Sequence, residues 1–182
     1  MAEKKTVLVT GGCGFIGSNF VHYMLGKYHN LRIINLDTLT YCGNLDNLCE
    51  LVNHPCYTFV KGDIADREKV REIIQKQRVD VIINFAAESH VDRSIEDPNL
   101  FLRTNILGTQ VLLEATREEE VPLFIQISTD EVYGSLGPTG LFTESSLLRP
   151  NSPYAASKAA ADHLVRAYIE TYDVNGIITR CS

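Results

Sequence analysis

The sequence predicts an α/β fold, a doubly wound parallel sheet with helices on both faces. Three observations predict it. Short β-branched or apolar runs alternate along the whole chain with longer stretches whose apolar residues recur three or four apart. Most of the short runs are nearly continuous in apolar residues, as strands covered on both faces require. The stretches between them are long enough for the right-handed crossovers that parallel neighbours need.

The strand candidates, in order, are Val7 to Val9, Leu31 to Ile34, Tyr57 to Val60, Val79 to Phe85, Leu123 to Ile127 and Gly176 to Thr179. A first helix is expected from the stripe Ile16, Phe20, Met24 and Tyr28, at i, i+4 spacing. A second follows Asp66, a candidate N-cap, and buries Val70, Ile73 and Ile74. Leu100 to Glu119 reads as one long helix with Leu107, Val111 and Leu112 on its buried side. The last helix runs from Pro153, tolerated in a first turn, to about Tyr172. Asp37 to Pro55 is expected to be a loop with a short helix. Gly134 to Pro153 is the one long irregular stretch, and loops of that length in compact domains often belong to a site.

The chain has 182 residues, 45% hydrophobic and 22% charged, which fits one globular domain and excludes disordered or collagen-like classes. With 17 Lys+Arg against 23 Asp+Glu the net charge is −6, so no nucleic-acid partner is expected. The first apolar run is too short for a signal peptide or a membrane span, so the expected location is cytoplasmic, without membrane association. The cysteines Cys13, Cys42, Cys49, Cys56 and Cys181 are odd in number and contain no C-x-x-C pair, and the seven-residue spacing of Cys42, Cys49 and Cys56 fits no common zinc pattern. They are expected to be reduced structural thiols, and no metal site is expected.

Directly after the first strand stands Thr10-Gly11-Gly12-Cys13-Gly14-Phe15-Ile16-Gly17, with Gly11, Gly14 and Gly17 in G-x-x-G-x-x-G spacing. A glycine turn between strand and helix lets backbone approach a pyrophosphate, and the helix N-terminus then offers unpaired N–H groups and a positive dipole end. Glycines alone are weak evidence. Here Asp37 follows Gly17 by twenty residues at the end of the second strand, as a dinucleotide site requires. A carboxylate there accepts the adenosine ribose hydroxyls and repels a 2′-phosphate, favouring NAD over NADP; the other reading of Asp37 is an Asx-turn or N-cap. Asp63 and Ile64, past the third strand, either face the adenine or, for Asp63, cap the next helix.

Tyr154 and Lys158 lie four apart on the last helix and share a face. An ammonium beside a phenol makes a base of it: lowering a tyrosine from about 10 to about 7 takes roughly 4 kcal/mol of phenolate stabilisation. After the fifth strand, Ser128-Thr129-Asp130-Glu131-Val132-Tyr133-Gly134 places a hydroxyl and two adjacent carboxylates at the carboxyl end of the sheet. Neighbouring acids in different surroundings can serve one as acid and one as base.

On these residues the chain resembles the extended short-chain dehydrogenase/reductase superfamily, with its Rossmann-type sheet, and within it the nucleotide-sugar 4,6-dehydratases. The resemblance also covers Asp37-Thr38-Leu39-Thr40-Tyr41, Gly62-Asp63-Ile64, Ala86-Ala87-Glu88-Ser89-His90-Val91-Asp92-Arg93-Ser94 and Thr104-Asn105. Related 4-epimerases have the glycine turn and the Tyr/Lys pair but lack the Asp-Glu pair. The resemblance implies NAD held by Gly11, Gly14, Phe15, Ile16, Gly17, Asp37, Thr38, Leu39, Thr40, Asp63, Ile64, Ala86, Ala87, Ser89, Thr104, Tyr154 and Lys158. For Ser89 and Thr104 ordinary loop and helix hydrogen bonding is the alternative, and His90 and Arg93 read as structural or pocket-wall residues.

The implied substrate is a nucleotide sugar, dTDP-glucose first, and the implied product a 4-keto-6-deoxy sugar. Tyr154, with Lys158 and Thr129, takes the 4-hydroxyl proton as hydride leaves C4. The new ketone acidifies C5; Glu131 removes that proton, Asp130 protonates the departing 6-hydroxyl, and hydride returns to C6. Other readings are a noncatalytic NAD-binding module, or a UDP-sugar 4,6-dehydratase or 4-epimerase.

Family chains continue past the sixth strand with an Asn-Asn-Tyr-Gly-Pro stretch and a lobe that binds the substrate nucleotide. Residues 1–182 are therefore expected to be the NAD-binding and catalytic domain, truncated before that lobe and poorly active alone. Apolar surface where the lobe docks is expected to promote self-association. The resemblance further implies a homodimer through the helices at Leu100 to Glu119 and Tyr154 to Tyr172.

Overall fold

A computed structural model of the chain describes residues 4–181. It opens with β1 (Lys5–Thr10), α1 (Phe15–Lys27) and β2 (Leu31–Asp37), followed by a 3-10 helix at Leu45–Leu51 and β3 (Tyr57–Lys61). α2 (Arg67–Gln77) leads to β4 (Val81–Asn84), α3 (Val91–Glu96) and α4 (Pro98–Phe101). A π-helical stretch at Leu102–Gly108 joins α4 to α5 (Thr109–Glu118). β5 (Leu123–Thr129), a 3-10 turn at Asp130–Tyr133, α6 (Pro153–Tyr172) and β6 (Gly176–Cys181) complete the chain.

The strands form one parallel sheet in the order β3-β2-β1-β4-β5-β6. The chain winds outward from β1 to β3, returns through α2 to the other side of β1, and winds outward again. The order therefore reverses between β1 and β4, where the carboxyl ends of an open α/β sheet leave a crevice. Alternation along β1 builds the two core layers. Leu8, with Ile34, Leu36, Ile82 and Phe124, packs against α2, α5 and α6, whereas Val7 and Val9, with Ile33, pack against Val21 and Leu25 of α1 and Leu48 of the 3-10 helix.

Helix ends follow local chemistry. The Asp66 side chain accepts from Lys69 N at 3.0 Å and caps α2, as its position predicts. Ser152 accepts from Ala155 N at 3.1 Å and starts α6 with Pro153 in the first turn.

Two details depart from the sequence reading. In α1 the buried residues are Gly17, Ser18, Val21 and Leu25, and Ile16 is 59% exposed. The helix is rotated because Gly17 must face the glycine turn. The crossover from β2 to β3 is, as expected, a loop with one short helix, of 3-10 type. The stretch Leu100 to Glu119 is not one regular α-helix: the wider π turn shifts the phase, leaving Leu107 45% exposed while Val111 and Leu112 are buried as expected.

β5 buries Phe124, Gln126 and Ser128 on the α6 side. On the α1 side Ile125 and Ile127 are half-buried and Ile177 of β6 is 46% exposed, so the sheet is covered less completely there by the described residues. Among the described residues no helix is long and apolar enough to cross a membrane.

Candidate functional site

A cavity of about 510 Å³ opens at the carboxyl ends of the strands, over the β1/β4 reversal. One end is the glycine turn. Gly11 has φ +68°, and a Cβ on it would stand 2.6 Å from the Ala86 nitrogen. A Cβ on Gly17 would collide with the Gly11 carbonyl oxygen, so both positions require glycine. No side chain caps α1 at Gly14, which leaves its leading N–H groups and positive dipole end for a ligand. This cradle fits a pyrophosphate.

Asp37 closes that end from β2. Its Oδ2 accepts from Cys13 N at 2.9 Å and its Oδ1 from Leu39 N at 2.8 Å. The Asx-turn read as an alternative is thus formed while the carboxylate also lines the cavity. Asp63 does not cap α2, which Asp66 does; its Oδ1 accepts from Ala65 N and its Oδ2 pairs with Arg103 at 2.9 Å. Ile64 packs against Gly108, where a Cβ would lie 2.5 Å from Ile64 carbons.

Thr38, Thr40, Ala86, Ala87, Ser89 and Thr104 line the space between the two ends. Leu39 does not; it packs into the α1-side core with φ +58°. His90 and Arg93 meet Tyr41, the guanidinium 4.0 Å from the ring centroid and the imidazole edge-on at 6.5 Å. That contact pins the Tyr41 loop to α3.

The other end of the cavity carries Tyr154 and Lys158. Burial, then the charge of Glu131, pushes the Tyr154 phenol up to about 12; Asp130 and Tyr41 add to this, and a hydrogen bond with Thr129 opposes it. Lys158 is pulled down to about 8 by burial, with Asp162 and Cys181 opposing. Its Nζ donates to the Ile127 carbonyl at 2.6 Å. The spacing predicts an ammonium that lowers the phenol; in the free chain β5 holds that ammonium and the phenol is raised instead.

Thr129, Asp130 and Glu131 stand beside this end without lining the cavity. The Thr129 hydroxyl accepts from Glu131 N at 3.2 Å and caps the 3-10 turn, and it lies 3.4 Å from Asp130 Oδ1. Asp130 is half-buried and Glu131 exposed.

Sequence reasoning missed Asn105 as a site residue. Buried in the π stretch, it accepts from Glu88 N and donates to Glu88 O, both at 2.9 Å, and donates to Ser157 Oγ at 2.8 Å. Ser157 in turn donates to the Tyr154 carbonyl at 2.7 Å. The cavity wall after β4 is thereby fastened to the helix carrying Tyr154. Ser128 was also missed: it lines the cavity, and its buried hydroxyl has no partner among the described residues.

A dinucleotide-type crevice that shares one cavity with a Tyr/Lys pair places the chain in the extended short-chain dehydrogenase/reductase class. The family model described as GDP-mannose 4,6 dehydratase matches residues 8–182, and the chain belongs to that family. It is 52% identical over 186 residues to the dTDP-glucose 4,6-dehydratase of Xanthomonas campestris pv. campestris strain B100, covering 97% of this chain and 52% of that protein. Among solved structures it resembles dTDP-glucose 4,6-dehydratase from Bacillus anthracis in complex with NAD, at TM-score 0.89 and 52% identity, over 98% of this chain and 55% of that one. It also resembles DesIV, the dTDP-glucose 4,6-dehydratase of Streptomyces venezuelae with NAD and TYD bound, at TM-score 0.92 and 48% identity, over 97% and 55%. The chain spans about half the length of the curated relatives it matches.

Proposed function

We propose that residues 1–182 are the NAD-binding and acid–base part of a nucleotide-sugar 4,6-dehydratase acting on dTDP-glucose. The observation that carries this reading is the shared cavity, lined at one end by the glycine turn and at the other by Tyr154 and Lys158, with Asp130 and Glu131 on the turn that directly follows β5 beside that end. Gly11 to Gly17, Asp37, Thr38 and Thr40 would hold the cofactor at one end and Tyr154 and Lys158 at the other. Bound NAD⁺ supplies a hydride acceptor for C4 of the sugar and, reduced, the donor for C6.

The chain's own residues move the protons. Tyr154 takes the 4-hydroxyl proton, which requires its phenol to fall from about 12; the Thr129 hydroxyl acts in that direction, and the Lys158 ammonium, one turn away, would add to it once turned toward the phenol. Glu131, the more exposed carboxylate, takes the C5 proton and gives it back to C5 when hydride reaches C6, and Asp130 protonates the leaving 6-hydroxyl so that it departs as water. Acid–base steps of this kind contribute roughly 10²–10⁴-fold each. We place the protein in the cytoplasm, in keeping with its free cysteines, and as a homodimer.

Calorimetric titration of the chain with NAD⁺ and NADP⁺ tests the cofactor site: NAD⁺ should bind at least about tenfold more tightly, because Asp37 disfavours a 2′-phosphate. No binding, or the reverse order, overturns the assignment. Incubation with NAD⁺ and either dTDP-glucose or UDP-glucose, read by the alkaline absorbance of a 4-keto sugar, tests the chemistry. An epimerised sugar in place of the keto product would remove Glu131 and Asp130 from their roles.

A further inference from the structure

Asp162 lies one turn beyond Lys158 on α6, is 1% exposed and has no part in the chemistry above. Its Oδ2 accepts from Arg180 Nε at 2.9 Å, and its Oδ1 has no hydrogen-bond partner among the described residues. Arg180, on β6, also donates from Nη1 to the Tyr133 hydroxyl at 2.9 Å. Tyr133 ends the 3-10 turn that begins with Asp130 and Glu131.

Stability alone is a poor reason for this arrangement. A buried ion pair often does no better than apolar residues of the same size, and a half-satisfied carboxylate is costly. Lys158 supplies a better reason. Residues at i, i+4 share a helix face, and the Lys158 amine is buried with one neutral acceptor, the Ile127 carbonyl. The ionisable groups acting on it are Asp162 on α6 and the Cys181 thiol on β6; Asp130 and Glu131 on the turn act on Tyr154 instead.

We propose that Asp162 is a positioning residue that keeps the buried Lys158 in its ammonium form, and that Arg180 sets how much of the Asp162 charge Lys158 feels. The inference rests on the role given to Lys158 above. It demands opposite responses from the two halves of one ion pair. Asp162→Asn removes the anion, so Lys158 must lose its proton at lower pH. Arg180→Gln removes the competing cation, so Lys158 must keep its proton to higher pH. A pair that merely braced the fold would loosen the site in both variants alike.

The measurement is NMR of the chain labelled with ¹³Cε-lysine, titrated from neutral to alkaline pH, with the Lys158 resonance assigned by its loss in Lys158→Met. The unaltered chain should titrate near 8. Asp162→Asn should move the midpoint down by about one unit, tenfold in the proton equilibrium. Arg180→Gln should move it up, and Arg180→Lys should restore it. Shifts in the same direction, or none, overturn the proposal; if Asp162→Asn does not fold, a rise in Arg180→Gln decides for it and a fall or no change against it. NAD⁺ titration of the same samples separates the two ideas, since failure of the unaltered chain to bind NAD⁺ would sink the function above without moving these midpoints.

Discussion

Lys158 is drawn toward neutrality by burial while Tyr154 is driven the other way, so the free chain holds the pair at about 8 and about 12. The consequence for stability has a definite sign. Between about 8 and the unfolded lysine value of about 10.5, the unfolded chain binds a proton at Lys158 that the native chain does not, so stability rises with pH across that window. Lys158→Met should therefore stabilise the protein at neutral pH by on the order of 2–3 kcal/mol and flatten that rise. Urea denaturation at pH values on either side of the window checks it, and an unchanged slope would count against a buried ammonium. Tyr154 and Lys158 were legible in the sequence because i, i+4 spacing alone puts them on one face. Their environment was not, because it depends on the Ile127 carbonyl and on Arg180, which other strands bring in.

Periodicity located the strands and most helices, since an apolar run or a helical stripe reports its own burial. It failed where a tertiary contact sets the phase. In α1 the close approach of Gly17 to Gly11 rotates the helix, and at Leu102–Gly108 the π turn delivers Asn105 inward and sends Leu107 outward. Neither contact leaves a mark in hydropathy. π turns of this kind often accompany functional sites. Asn105→Ala would leave the Glu88 backbone groups unpaired, and should cost on the order of 2–4 kcal/mol in denaturant unfolding and weaken NAD⁺ binding with it. Loss of stability with unchanged NAD⁺ affinity would separate the π turn from the cavity wall it holds.

The doubly wound sheet was legible because alternating segments of these lengths admit few topologies. The uneven cover of its two faces was not. Ile177 stands exposed beside half-buried Ile125 and Ile127 on the α1 side, so the chain should enhance the fluorescence of a hydrophobic dye. Ile177→Lys should reduce that signal and change unfolding free energy by no more than about 0.5 kcal/mol; an unaltered signal would place the dye elsewhere. The reversal of strand order between β1 and β4 has a different effect. Gly11 and Asp37 belong to one winding of the sheet, Ala86 and Tyr154 to the other, and both windings wall the same cleft. Under the function proposed, a dinucleotide lying along that seam would rivet the two windings together. At a hundredfold excess over its dissociation constant it adds about 2.7 kcal/mol to the folded state, so a simple melting curve gauges occupancy before any sugar is supplied.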